Sequence, residues 1–109
     1  RKMMKEGMLL RVYISESARL NDRPTYKCLV EFFKEKGFPG CTVFRGLMGF
    51  GHERKIKTAD IVRLSLDLPV IVDIVDTEEK VLSVLPEVEQ MVEYGLVITQ
   101  KVDMLRKYP

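Results

Sequence analysis

The sequence contains a single histidine, His52, and two cysteines, Cys28 and Cys41, in 109 residues. The cysteine spacing fits neither a Cys-x-x-Cys redox pair nor a zinc framework, so no structural metal site is expected. No apolar run approaches the roughly 18 residues of a membrane-spanning helix; the longest, Val70 to Val75, is interrupted by Asp73. Glycine and proline are sparse at 7 and 5 residues, and with 46% hydrophobic and 31% charged content this excludes a collagenous or largely disordered chain. Eighteen Lys and Arg against sixteen Asp and Glu leave a net charge of +2, too small for a general attraction to nucleic acid or anionic lipid. No nucleic-acid partner and no direct membrane insertion are expected. Arg1 to Gly7 is charged and lacks the roughly 7 to 15 apolar residues of a secretory signal, which makes a cytoplasmic location the expectation. The length suits one core that buries about two-thirds of the unfolded surface. We assign a single domain to residues 8–105 and an extended or disordered tail to residues 1–7.

The patterning alternates between two periods. Met8 to Ile14 is rich in β-formers and predicts a strand. Tyr26, Leu29, Val30 and Phe33 recur at three- and four-residue steps, predicting a helix that begins at Pro24 and stops at Gly37. Cys41 to Phe44 reads as a second strand. Three glycines then fall in six residues, and Arg45, Arg54, Lys55, Lys57 and Arg63 outnumber Glu53 and Asp60, the composition of a long, basic, mobile loop without regular structure. Ile61 to Leu64 resumes a strand, and Val70 to Val75 reads as a central strand covered on both sides. Asp76 and Glu79 have the spacing of a capping box. A helix carrying Val81, Leu85, Val88 and Val92 follows to Gly95, with a bend expected ahead of Pro86. Leu96 to Met104 is the last strand. The order is that of a ferredoxin-like βαββαβ α+β sandwich, with a four-stranded antiparallel sheet and both helices on one face. The other face lacks a helical cover, so an apolar surface there predicts an obligate oligomer.

Gly46, Gly49 and Gly51 predict backbone in left-handed or otherwise restricted conformations, where successive amides converge on an anion. Arg45, Arg54 and Lys55 add charge-assisted hydrogen bonds, each about 1.5 to 3 kcal/mol to a desolvated phosphate. A flexible hairpin end with solvated charges is the simpler reading of the same residues. His52 suits a phosphate contact or a polar surface position equally. Cys28 and Cys41 have no base beside them in sequence, which leaves nucleophilic catalysis without support. The acidic second helix reads as a solvated face. Tyr13, Phe32, Phe33 and Phe44 read as core or subunit contact, since no basic-aromatic stripe accompanies them.

Gly40-Cys41-Thr42-Val43 running into Gly49-Phe50-Gly51 resembles the nitrogen-regulatory PII signal proteins. The sequence is more similar still to a group of small PII-like proteins of unassigned function. That likeness runs from Leu9 to Val102 and rests on Thr42 to Gly51, Asp67-Leu68-Pro69 and Val75-Asp76. The resemblance implies a homotrimer that binds an adenine nucleotide, with no obligatory cofactor, in clefts between subunits. It also implies a loop after the second strand that engages a protein partner, for which a membrane transporter would be suitable. Thr42 would lie near the base, and Gly49, Phe50 and Gly51 near the phosphate; Arg45 and His52 complete the candidate nucleotide site, while Arg54, Lys55 and Lys57 form the partner-binding loop. PII proteins carry a Gly-rich, Lys-containing phosphate loop where this chain has Glu93-Tyr94-Gly95, and an Arg-Gln pair where it has His52. A monophosphate such as AMP, or a cyclic nucleotide, is therefore as suitable as ADP or ATP. The competing readings are a small hydrolase using His52 with Asp60 or Glu53, and a ligand-free adaptor trimer of the same architecture.

Overall fold

The computed structural model describes residues 4–59 and 67–108. In chain order it contains β1 (Lys5–Ser15), β2 (Arg19–Leu20), β3 (Arg23–Pro24), α1 (Thr25–Glu35), β4 (Thr42–Arg45), β5 (Met48–Gly49), β6 (Lys57–Thr58), β7 (Pro69–Asp76), α2 (Glu78–Met91) and β8 (Leu96–Met104). The main sheet has the order β4-β7-β1-β8, antiparallel throughout, which is the ferredoxin-like arrangement expected from the pattern. β1 begins at Lys5, three residues ahead of the expected start. The strand expected at Ile61 to Leu64 lies outside the described residues, as do Asp60 and Arg63.

Strand alternation sorts the sheet into two faces. Met8, Leu10, Val12 and Ile14 of β1, with Val70, Val72 and Ile74 of β7, are buried against Leu29 and Phe33 of α1 and Val81, Val84 and Val88 of α2. Each such side chain contributes about 1.5 to 3 kcal/mol by leaving water. The opposite face carries Leu9, Arg11 and Tyr13 beside Val75, Asp73 and Ile71. It is not the wholly apolar surface expected for a strand covered on both sides. Arg11 donates through Nε and Nη2 to both Asp73 carboxylate oxygens, at 2.8 and 2.7 Å, in the middle of it. Apolar side chains flank that pair: Phe44, Ile71, Tyr13 and Leu96 are successive cross-strand partners in one row. Phe44 is 49% and Leu96 57% exposed.

Helix ends follow local chemistry. At Gly37, φ is +82°, the left-handed conformation glycine adopts without strain. Its N–H bonds the Lys34 carbonyl and that of Phe38 bonds the Phe33 carbonyl, the paired bonds of a Schellman motif. The Phe33 and Phe38 rings meet edge to face at 5.5 Å, supplying the apolar contact that accompanies it. The amino end of α2 differs from the expected capping box. Thr77, not Asp76, is the cap, its hydroxyl accepting from the Lys80 N–H at 3.3 Å. Asp76 pairs the final position of β7 and is buried, with its carboxylate accepting from the Thr77 N–H at 2.7 Å. α2 also stops at Met91 rather than reaching Gly95, because Val92 turns to extended backbone. The helix runs unbroken through Pro86; the carbonyl that proline leaves without its helical donor belongs to Leu82, an exposed residue.

Candidate functional site

The basic segment after β4 is more ordered at its base than its glycine content suggests. Met48 pairs with Thr58 and Gly49 with Lys57, and the Ala59 N–H reaches the Leu47 carbonyl at 2.7 Å. A two-stranded ribbon therefore carries the Phe50–Ile56 tip. Within the tip the Arg54 N–H bonds the Gly51 carbonyl at 2.8 Å, Arg54 takes a φ of +61°, and its guanidinium lies 5.7 Å from the centre of the Phe50 ring.

The ribbon glycines do not adopt left-handed backbone. Among the described glycines only Gly37 has positive φ. Gly46 and Gly49 are instead places of close approach. A Cβ on Gly46 would sit 2.9 Å from Cγ of Pro69, and one on Gly49 3.2 Å from the same atom. The Gly46 N–H also donates to the Pro69 carbonyl at 2.7 Å. The Asp67-Leu68-Pro69 motif and the glycine string are thus two sides of one contact. Around Gly51, by contrast, a Cβ would meet nothing within 4 Å.

Two clips hold the ribbon base to the sheet. Glu16, buried at the end of β1, pairs with Arg45, while its backbone N–H bonds the Leu68 carbonyl at 2.8 Å. Asp67 accepts from Lys57 Nζ at 2.5 Å, from Ser17 Oγ at 2.7 Å and from Ser15 Oγ. The Lys57 ammonium, with the Ser15 and Ser17 hydroxyls, holds the Asp67 carboxyl down to about 2 from an ordinary 3.8, and Asp67 in turn raises Lys57. A carboxyl depressed by folding adds stability above its unfolded value and loses it as the pH falls through the folded one. The Asp67 contribution is accordingly present at pH 4 and above, and it disappears on acidification toward pH 2. Its expected size is about 1 kcal/mol, because solvent screens this partly open pair. Acid unfolding of an Asp67→Asn variant should lack that component; an acid profile identical to the wild type would mean that the clip adds nothing to stability.

One cleft of about 550 Å³ opens between the ribbon and the turn that joins α2 to β8. Gly49, Phe50, Gly51 and His52 line one side, Glu93, Tyr94 and Gly95 the other, and Ser15, Ser17, Lys57 and Asp67 the inner wall. The His52 imidazole and the Tyr94 phenol ring stack across it, 4.4 Å between centres and 12° from parallel. Arg19 and Lys55 also border the cleft, with Glu53. Arg19 is presented by a hairpin in which Asn21 and Asp22 have φ of 52° and 67°, the left-handed pair that a tight two-residue turn requires.

Of the residues singled out in the sequence, Gly49, Phe50, Gly51, His52, Lys55 and Lys57 therefore converge on the cleft. Thr42 does not; it borders a separate hollow of about 410 Å³ with Cys41, Phe44, Asp73, Met104 and Arg106. Arg45 is engaged by Glu16, and Arg54 by the Phe50 ring. The missed contributors are Ser15, Ser17, Asp67 and Tyr94. Asp67 stood in a recognised motif, but its serine partners lie 50 or more positions away. Burial and the Asp73 charge push the Cys41 thiol up to about 11, so it has no nucleophilic character at neutral pH. Among the described residues no cluster of His, Cys, Asp and Glu is arranged to hold a metal, and no helix is long and apolar enough to cross a membrane.

The chain is similar to known proteins in sequence and in fold. Residues 7–104 match the DUF190 family, whose description is "Uncharacterized ACR, COG1993". A UPF0166 protein of Aquifex aeolicus is 37% identical over 97 residues, covering 89% of this chain and 91% of that protein. A UPF0166 protein of Methanocaldococcus jannaschii is 35% identical over 96 residues, covering 87% and 88%. Among solved structures, CPII of Thiomonas intermedia K12, a nitrogen regulatory PII-like protein bound to ADP, AMP and bicarbonate, superposes with a TM-score of 0.72 at 15% identity, covering 94% of this chain and 92% of that one. A putative PII-like signaling protein of Thermus thermophilus gives a TM-score of 0.68 at 19% identity, covering 95% and 94%. At these identities the structural likeness speaks to fold.

Proposed function

Because the chain belongs to the DUF190 family and has the fold of PII-like proteins, we propose that it is a PII-like, non-enzymatic signalling protein that binds an adenine nucleotide. The carrying observation is the convergence of the Gly49–His52 segment and the Glu93–Gly95 turn on a single cleft. The ADP and AMP bound to CPII support the ligand class. In the proposed homotrimer the open sheet face joins subunits. The cleft of one subunit then meets the hollow beside Thr42 on the next, which makes the binding site a shared one.

The lining charges indicate which nucleotide is preferred. Lys57 is neutralised by Asp67, and Arg19 and Lys55 share the cleft wall with Glu53 and Glu93. This wall offers no net positive charge to a triphosphate, whose several negative charges repel the two glutamates. AMP suits it better than ATP. The exposed tip, with Arg54, Lys55 and the apolar Phe50 and Ile56, forms the surface that meets a protein partner. A ligand that biases the ribbon between conformations alters partner affinity, and by linkage the partner tightens the ligand.

A hydrolase is the poorer reading. His52 rests on an aromatic ring, the Glu53 pairing with it has no supporting contact among the described residues, and Asp60 lies outside them. Calorimetric titration with AMP, ADP, ATP and cyclic AMP tests the proposal. AMP is expected to bind in the micromolar range, more tightly than ATP. Absence of heat with all four at about 100 micromolar protein, enough to reveal a weak site, would favour the ligand-free adaptor.

A further inference from the structure

We infer that Arg19 is the residue of this cleft that grips the phosphate, and that it selects a terminal phosphomonoester over a nucleoside or a cyclic phosphodiester. The inference rests on the nucleotide reading and deepens it, giving the phosphate a cationic partner that the Glu93-Tyr94-Gly95 turn does not supply. The cations of the molecule sort by what already holds them. Lys57 is bound to Asp67 and Arg45 to Glu16, while Arg11 and Arg23 engage Asp73 and Glu31. Arg19 borders the cleft together with Gly49 and Gly51 and has no ion-pair partner among the described residues. Its hydrogen bond runs from Nη2 to the Asp22 carbonyl, which leaves Nε and Nη1 without a partner among those residues.

The mount of Arg19 is fixed to the body of the fold. The β2–β3 hairpin lies between β1 and α1; Arg23 donates to both Glu31 carboxylate oxygens on α1 at 2.8 and 2.7 Å, and the Thr25 N–H bonds the Ala18 carbonyl at 2.8 Å. Residues 19–23 place no buried side chain in the core, yet the turn holds Asn21 and Asp22 in left-handed backbone, which is uncommon away from glycine. A turn of that conformation with no packing role fits a device that presents a side chain. The guanidinium is a planar fork able to meet two oxygens of one phosphate, whereas Lys55, on the ribbon tip, offers only a point charge. A phosphomonoester carries roughly two negative charges at neutral pH and a cyclic phosphodiester fewer, so the fork favours the first.

Calorimetry with AMP, cyclic AMP and adenosine on the wild type and two variants tests the inference. The wild type is expected to bind AMP about tenfold or more tightly than adenosine. Arg19→Ala is expected to weaken AMP by about tenfold or more, to leave adenosine unchanged, and to lose most of the preference for AMP over cyclic AMP. Arg19→Lys, which keeps the charge without the fork, should weaken AMP by roughly three- to tenfold. In proton–nitrogen spectra of the arginine Nε groups, AMP should shift the resonance that is missing from Arg19→Ala, and adenosine should not. Wild-type AMP affinity in either variant, equal losses of AMP and adenosine in Arg19→Ala, or an Arg19 resonance indifferent to AMP each overturns the inference while leaving the nucleotide reading intact. A wild type that binds no nucleotide overturns both.

Discussion

Ile71→Asp is expected to convert the proposed trimer into folded monomers, read by sedimentation equilibrium, and to reduce AMP affinity at least tenfold. Ile71 stands on the open sheet face between Tyr13 and Phe44, in the row that continues to Leu96. Its strand neighbours Val70 and Val72 point the other way into the core, so the substitution leaves the core untouched. On an exposed face the new carboxylate is solvated and costs little. Inside a subunit contact it is desolvated without a partner, a penalty of about 3 to 5 kcal/mol when a buried charge lacks its counter-ion. That difference separates the two situations by two orders of magnitude or more in association. The Arg11–Asp73 pair does not supply a counter-ion, because its guanidinium is already committed to both oxygens of Asp73. The expected fall in AMP affinity follows from the proposal that the neighbouring subunit completes the site. An Ile71→Asp protein that stays trimeric would show that subunits meet elsewhere.

The parts of this architecture that were legible in the sequence are those encoded by near neighbours. β1 and β7 announced themselves through runs of branched and aromatic residues, and α1 through the spacing of Leu29 and Phe33 and the glycine at 37. Short elements carried too few residues to register. β2 and β3 have two residues each, and only the Asn21-Asp22 pair marks their turn. The ribbon of β5 and β6 was obscured for a different reason: its glycines signalled irregular backbone, whereas two of them serve close packing on Pro69. The capping box misled because Asp76 and Thr77 are adjacent and both suit a helix start. The pairing of Asp76 with Met8 keeps it in the sheet, which hands the cap to Thr77. The cleft was half legible. The resemblance drew attention to Gly49 through His52, yet nothing local to Glu93-Tyr94-Gly95 indicated that the Tyr94 ring would face His52. Side chains brought together by the fold leave no spacing to read.

Gly95→Ala is expected to lower the melting temperature by about 5 to 20 °C, and Gly51→Ala to leave it unchanged, although both glycines line the same cleft. A Cβ on Gly95 would stand 2.5 Å from the Tyr13 carbonyl oxygen and 2.9 Å from methyl groups of Ile14 and Val92. The first of these contacts is the decisive one. Tyr13 lies in β1, paired on one side with Ile71 and on the other with Leu96, so its carbonyl cannot retreat without disturbing two ladders. The turn must move instead, at a cost of about 1 to 3 kcal/mol, which for a domain of this size corresponds to the stated shift in melting temperature. Gly51 has no atom within 4 Å of the added methyl and its φ is not positive, so neither packing nor backbone resists. The sequence reading of Gly95 as a helix terminator predicts only a modest effect, since α2 has already ended at Met91. Thermal unfolding of the two variants therefore distinguishes a glycine required by the approach of α2 to β1 from one that keeps space in the cleft. A Gly95→Ala protein that melts with the wild type would mean that the turn is looser than its contacts with Tyr13 and Ile14 require.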